Sequence, residues 1–300
     1  VLIYYISIFY SVPIPSGTSQ TILNPIPTIS EYHQMLLGFC GSVLSHSLCL
    51  VQSLAAQRTR DASSEPTAPT MAAIDAYELN AIPVMSRQVP VYRVSRDDKV
   101  IALTIDAAWN ADKTKFILDT LDQYGIKATF FLCGVWVSAY PDMVKEIAAR
   151  GHEIGNHSLT HPHMNRMSAE EIKKEISSLD DEIEQLTGNR TKFFRAPFGE
   201  YNDTVVSTVR DMGYEIVQWN IDTVDWKEGR TPETILNTVL PKLSSGSIIL
   251  SHNNGYGIET YLPQLIEKAQ SDGYRFVMIS ELLPEGERTV DNNGLCTPAG

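Results

Sequence analysis

Short runs rich in β-branched and aromatic residues recur from residue 99 to residue 279, and helical patterns separate them. This alternation limits the folds open to the chain. The runs are KVIALTID (99–106), KATFFLC (127–133), HEIGN (152–156), KFFRA (192–196), YEIVQW (214–219), SIILSH (247–252) and YRFVMI (274–279). The clearest helical segment runs from Ser168 to Thr187. Ser168 and Glu171 form a capping box. Ile172, Ile176, Leu179, Ile183 and Leu186 step by four and three, which marks one face of a helix, and Gly188 ends it. Strands that alternate with helices imply parallel pairing with crossover helices. Apolar residues on both strand faces fit strands buried on both sides. Seven such units in about 185 residues fit an incomplete barrel better than an open sheet.

In parallel α/β folds the working residues gather at the C-terminal ends of the strands. The first run ends at Asp106. The third leads into HSLTHPH, which brings His157 and His161. The fourth ends in RAPFG with Arg195. The fifth leads into DTVDW, with Asp222, Asp225 and Trp226, and the sixth ends at His252. Each residue alone has an ordinary reading: a polar loop, an ion-pair arginine, a packing tryptophan, a hydrogen-bonded core histidine. Five strand ends carrying titratable groups on one rim point instead to a reaction site. Two histidines four residues apart can present imidazole nitrogens to one divalent cation while leaving a coordination position open. His163 fits a polar loop better and is left out of the set.

These motifs, in this order, resemble the polysaccharide deacetylase family, carbohydrate esterase family 4. The resemblance covers residues 98–285 and rests on TIDA, HSLTHP, RAPFG, DTVDW and ILSH. It implies an α/β fold, a distorted seven-stranded (β/α) barrel of the polysaccharide deacetylase type. The implied activity is hydrolysis of N-acetyl groups on peptidoglycan or chitin oligomers. The resemblance also implies roles for the residues. Asp106 is the base that takes a proton from the attacking water, and Arg195 pairs with it and keeps it ionised. His157 and His161 ligate a divalent metal, most simply zinc, with cobalt or nickel as alternatives. The Phe198 backbone N–H is an oxyanion donor. His252 protonates the leaving amine, Asp225 orients His252, and Trp226 forms an apolar wall.

The pattern departs from the family at Ala107, where a second aspartate usually supplies a third metal ligand. Three outcomes follow from that change. The metal is held by two histidines and water, or Asp112 in the same loop takes the ligand position, or the domain is a non-catalytic glycan binder. The first two together keep the chain an active hydrolase, because Asp106, Arg195, Asp225 and His252 are all retained. A hydrolase of another amide or ester substrate remains an alternative, as does a membrane-anchored interaction protein.

Charge narrows the partners. The net charge is −12 over 300 residues and the pI is near 5.0, which excludes a phosphate backbone as a natural partner but not a carbohydrate polymer or oligomer. Cys40, Cys49, Cys133 and Cys296 have neither disulfide-framework nor thiolate-zinc spacing. Cys133 reads as a small buried hydrophobe. Residues 1–57 contain no Lys or Arg and one acid, Glu31. The apolar run from Met35 predicts a signal or membrane anchor, and the opening Val predicts that residues 1–34 precede the mature chain. An extracytoplasmic protein, secreted or anchored at the cell envelope, is the resulting expectation. Residues 58–97 read as linker and lead-in, and residues 286–300 as a C-terminal tail.

Overall fold

A computed structural model of the protein describes residues 88–299. The apolar N-terminal run, and with it the export expectation, lies outside the described residues, as do Cys40 and Cys49. Among the described residues no helix is long and apolar enough to cross a membrane.

The strands are β1 (Arg93–Val94), β2 (Val100–Ala107), β3 (Thr129–Leu132), β4 (Glu153–Asn156), β5 (Phe193–Phe194), β6 (Glu215–Ile216), β7 (Ile221–Asp222), β8 (Ile248–His252), β9 (Arg275–Phe276), β10 (Arg288–Val290) and β11 (Leu295–Pro298). The α-helices are α1 (Thr114–Gln123), α2 (Gly134–Ala139), α3 (Pro141–Ala149), α4 (Ala169–Thr187), α5 (Asp203–Asp211), α6 (Pro232–Val239), α7 (Ile258–Ser271) and α8 (Ile279–Leu282). The main sheet runs β6-β5-β4-β3-β2-β8-β7, and β9 joins the start of β2. Its strand pairs are all parallel. The sheet is curled and stays open between β6 and β7, so the fold is an α/β half-barrel, the distorted barrel that the motifs implied. Ile221–Asp222, read from the sequence as loop, is a strand of its own beside β8. The run from 274 to 279 is shorter than expected, because Ile279 starts a helix capped by Glu281, whose carboxylate accepts the Met278 N–H at 2.9 Å.

Strand β2 sets the two layers. All eight of its residues are buried. Successive side chains alternate between faces. Ile101, Leu103, Ile105 and Ala107 join the large apolar cluster with helix residues Ile117, Leu118, Leu121, Leu262 and Leu265. Val100 and Ala102 join a different cluster inside the curl, with Val91, Val94, Phe131 and Val217. Thr104 and Asp106 follow on that inner face by the same alternation, so the polar end of the strand points into the half-barrel. The gap between β6 and β7 is not left bare. Val91 donates to the Ile216 carbonyl at 2.9 Å and accepts from the Gln218 N–H at 2.7 Å. Val94 donates to the Gly246 carbonyl, and the approach is so close that a Cβ on Gly246 would lie 1.7 Å from the Val94 oxygen. β11 then pairs with β1 and β10 with β11, forming a small second sheet.

Helix α4 forms as the sequence predicts. Ser168 accepts the Glu171 N–H, Glu171 reaches back to the Ser168 N–H, and Gly188 closes the helix at φ 78°. α4 also anchors the loop after β4. Its Glu175 accepts the Leu159 N–H through the main chain, and the N–H and hydroxyl of Thr160 through its carboxylate. Helix α2 grips the same loop from the other side. The Gly134 N–H donates to the Ser158 carbonyl, and a Cβ on Gly134 would sit 2.6–2.9 Å from side-chain and main-chain atoms of Leu159. Gly134→Ala is therefore expected to destabilise the fold by about 1–3 kcal/mol through forced backbone movement. A lowered denaturant midpoint with unchanged slope is the expected reading.

Candidate active site

The register of the sheet brings the predicted residues together. Asp106 lies opposite His252 across the β2–β8 pair. His157 follows the end of β4, and Arg195 follows the end of β5. The cavity above these strand ends has a volume of about 750 Å³, and Asp106, His157, His161, Phe198, Asp222, Trp226 and His252 line it.

Arg195 is fully buried. Its Nη1 donates to Asp106 Oδ1 at 2.7 Å and to Thr104 Oγ1 at 2.8 Å. Nε donates to the Val217 carbonyl at 3.2 Å and Nη2 to the Gln218 carbonyl at 3.0 Å. The guanidinium plane lies over the Phe131 ring at 4.1 Å. A buried charge must be neutralised and its donors satisfied, and this set does both. Burial pushes the Asp106 carboxyl up, but the attraction of Arg195, helped by His157 and His252, outweighs it and holds Asp106 below the ordinary carboxylate range. Asp106 is thus ionised at neutral pH, with Oδ2 directed toward His157 Nε2 at 3.6 Å.

His157 is oriented by the same segment. Its Nδ1–H donates to the Arg195 carbonyl at 2.8 Å. A carbonyl can only accept, so the tautomer is fixed and Nε2 carries the free lone pair. The His161 ring centroid is 5.0 Å from that of His157. Trp109 and Phe198 meet His161 edge-on at 4.9 and 4.5 Å. The tight loop between the two histidines needs positive φ at Ser158 (66°) and His161 (59°). Asn156 Oδ1 supports it by accepting the Ser158 N–H at 2.9 Å. Burial is the main reason both imidazoles have lowered pKa values, with His161 reaching about 4. Both imidazoles are therefore neutral at pH 7.

Opposite them stands the Asp225–His252 pair. Asp225 is fully buried. Its Oδ1 faces His252 Nδ1 at 2.7 Å, and its Oδ2 accepts the His252 N–H at 3.0 Å. Burial lowers the His252 pKa, but the hydrogen bond and charge of Asp225, with Asp106 and Asp222 beyond, raise it above the usual value. Gly255 makes room for this pair, since a Cβ there would lie 2.1 Å from Asp225 Oδ2. Phe198 has φ 58°, and its N–H has no acceptor among the described residues, so it is free to donate into the cavity.

The donor set suits a divalent cation in part. His157 and His161 present two neutral imidazoles. Among the described residues, no group of three His, Cys, Asp or Glu side chains has metal-holding geometry. Asp112 is exposed and lines the cavity, but does not complete such a group. Ala107 is fully buried on the face opposite Asp106, within the apolar cluster.

The structure adds residues that sequence reasoning missed. Trp109 and Tyr256 line the cavity beside Phe198 and Trp226, which the motifs had already named, and all four are about half exposed. Lys113 bridges to the Gly255 carbonyl at 3.1 Å and to Glu259 at 3.2 Å. Asn253 holds the 108–113 loop by donating from Nδ2 to the Asn110 carbonyl at 2.5 Å. An aromatic next to a rim aspartate was the available signal for Trp109, but sequence alone does not separate an exposed tryptophan from a core one. His163 stands outside the cavity lining, as expected. It pairs with Glu200 at 2.8 Å and stacks on Phe198. Cys133 and Cys296 are buried free thiols.

Residues 93–217 match the sequence profile of the polysaccharide deacetylase family. The peptidoglycan-N-acetylglucosamine deacetylase of Bacillus cereus is 37% identical over 61% of this chain and 67% of its own length. The protein YlxY of Bacillus subtilis is 33% identical over 65% of this chain and 61% of its own. The match therefore spans less than two thirds of that relative. Among solved structures, a CE4 family pseudoenzyme from Bacillus anthracis aligns with TM-score 0.63 at 35% identity, over 66% of this chain and 69% of that one. A mutant of it with restored enzymatic activity aligns equally well.

The titration of these groups sets a stability profile. His161, and His152 at the other end of the sheet, have folded pKa values of about 4, whereas unfolded histidines titrate near about 6.5. Between those values the unfolded chain binds more protons, so stability rises with pH across that window. His252, with its raised value, acts in the opposite sense, and its contribution is lost as pH rises through its folded pKa. Chelator-treated protein should therefore give a denaturation midpoint that climbs from pH 4 to 6.5 and declines at higher pH. A profile flat from 4 to 6.5 would contradict neutral buried imidazoles.

Proposed function

Because the chain belongs to the polysaccharide deacetylase family, we propose that it is a metal-dependent hydrolase that removes N-acetyl groups from N-acetylated glycans, of peptidoglycan type or chitin oligomers. The observation that carries this reading is the paired machinery on one rim. An aspartate kept ionised by a buried arginine faces a histidine kept protonatable by a buried aspartate.

Amide hydrolysis needs a base, an oxyanion donor and an acid for the leaving amine. Asp106 Oδ2 accepts a proton from the attacking water. Arg195 holds Asp106 in place and ionised. The Phe198 N–H donates to the oxygen that becomes negative. His252 gives its proton to the departing nitrogen, and Asp225 keeps the ring turned to do so. His157 and His161 would hold the divalent cation, most simply zinc, which would supply Lewis acidity there. Trp226 and its aromatic neighbours offer apolar faces to the acetyl methyl and the sugar rings. The reacting unit extends past residues 98–285 at both ends, because Val91 and Val94 bridge the open side of the sheet, β11 pairs with β1 and β10 pairs with β11, so neither residues 91–97 nor 288–298 are linker or tail. The apolar segment 1–57 places the protein outside the cytoplasm, secreted or anchored at the envelope, where a peptidoglycan substrate is at hand.

A second reading is a glycan binder without turnover. Ala107 favours it, as does the likeness to a family pseudoenzyme. Acetate release separates the two. The full chain, stripped of metal and titrated with zinc, is expected to release acetate from N-acetylated chitin oligomers or peptidoglycan in a saturable way. Asp106→Asn is expected to lower that rate by about 100-fold or more. No acetate at any metal concentration on either substrate would leave the binder as the function.

Ala107→Asp tests the cost of the missing ligand. A carboxylate on that apolar face has to be desolvated unless it reaches a cation. The variant should therefore be less stable than the parent without metal, and a half-maximal zinc concentration lowered by about tenfold would mean that the carboxylate turns out of the apolar cluster to the cation. An unchanged zinc dependence would mean that position 107 does not address the cation.

A further inference from the structure

We propose that Tyr261 is a positioning residue for the proton-donating pair, holding Asp225 onto His252 and tempering how strongly His252 retains its proton. The inference rests on the reading of His252 as proton donor, and the site assignments made above do not include Tyr261.

The tyrosine comes from an element distant in sequence from both partners. Helix α7 packs Ile258, Tyr261, Leu262, Leu265 and Ile266 into the large apolar cluster. Tyr261 is fully buried there, yet its hydroxyl donates to Asp225 Oδ2 at 2.5 Å. Burial first, and the charge of Asp225 second, push the phenol well above its usual pKa, so it remains a donor at any working pH. Without it, Asp225 Oδ2 would keep only the His252 N–H at 3.0 Å. No Lys or Arg pairs with Asp225 among the described residues.

Two consequences follow. The Tyr261 bond fixes the carboxylate rotamer, so that Oδ1 stays on His252 Nδ1 and Nε2 is the ring nitrogen left to face the cavity. It also draws negative charge toward the phenol, which weakens the hold of Asp225 on the imidazolium proton. A bare, buried Asp–His pair would make His252 too basic to release a proton readily. A general acid works best with a pKa near the working pH. The other titratable groups facing His252 are Asp106 on β2, Asp222 on β7, and the two imidazoles His157 and His161. None of them shares a hydrogen bond with Tyr261.

The test is Tyr261→Phe in the full chain, with His252 titrated by NMR against the parent. Loss of one hydrogen bond to the carboxylate is expected to raise the His252 pKa by about half a unit to one unit. The alkaline limb of the acetate-release profile should move up by the same amount with KM unchanged. An unaltered or lowered His252 pKa in a folded variant would overturn the inference. A parent-only measurement covers a variant that does not fold. The Tyr261 hydroxyl proton should give a slowly exchanging, downfield resonance that moves as His252 titrates, and an absent or unresponsive signal would overturn the inference as well. If the parent releases no acetate, the hydrolase reading fails, while the titration still decides the role of Tyr261.

Discussion

The half-barrel is organised around one buried guanidinium. Arg195 has no contact with solvent, so its charge has to be answered inside the protein. Asp106 answers it by charge, and Thr104, Val217 and Gln218 accept its remaining N–H groups. These partners sit on β2 and on the segment after β6, from opposite parts of the curl. The arginine therefore ties β2 to the segment after β6 across the inside of the curl. The Arg195 carbonyl also sets the tautomer of His157. One residue thus fixes the ionisation of Asp106 and the orientation of the His157 imidazole.

The His252 side of the cavity uses a different device. His252 is partly open to the cavity, but Asp225 is sealed beneath it by the turn through Gly255 and by helix α7. The Asp106 carboxylate is stabilised by the Arg195 cation, and the Asp225 carboxylate by the Tyr261 hydroxyl and the His252 N–H. The two carboxylates consequently have different effects: Asp106 is itself held ionised, and Asp225 raises the hold of His252 on its proton. Separating two titratable pairs by environment is how a single cavity holds acid and base together at neutral pH.

Ala107 is where this chain departs from an otherwise consistent design. The strand alternation puts its methyl among Ile105 and the helix-layer residues, so the position is structurally comfortable and chemically silent. Two neutral imidazoles remain beside an ionised aspartate. The likeness to a family pseudoenzyme, and to its mutant with restored activity, shows that this fold persists with and without turnover. In this chain the buried charge of Arg195 is answered by Asp106 and its other N–H groups by Thr104, Val217 and Gln218.

Much of the architecture was legible in the chain. The alternation of β-rich and helical runs gave parallel strands, the capping box gave α4 to the residue, and the strand-end rule collected Asp106, His157, His161, Arg195, Asp225 and His252 before any coordinates. Strand lengths and the separate β7 were not legible, because two-residue strands carry no periodicity of their own. Trp109, Tyr256 and Tyr261 were missed for a related reason: an aromatic residue has the same letter whether it lines a cavity, faces solvent or carries a buried hydroxyl. The amino-acid sequence by itself determined which chemical groups the protein has and which strand ends present them, since both follow from local pattern. Only the tertiary structure decided which oxygen meets which nitrogen, which helices Ala107 packs against, and that a helix tyrosine bonds the Asp225 carboxylate. Those relations join residues far apart in the chain, and packing alone brings them together.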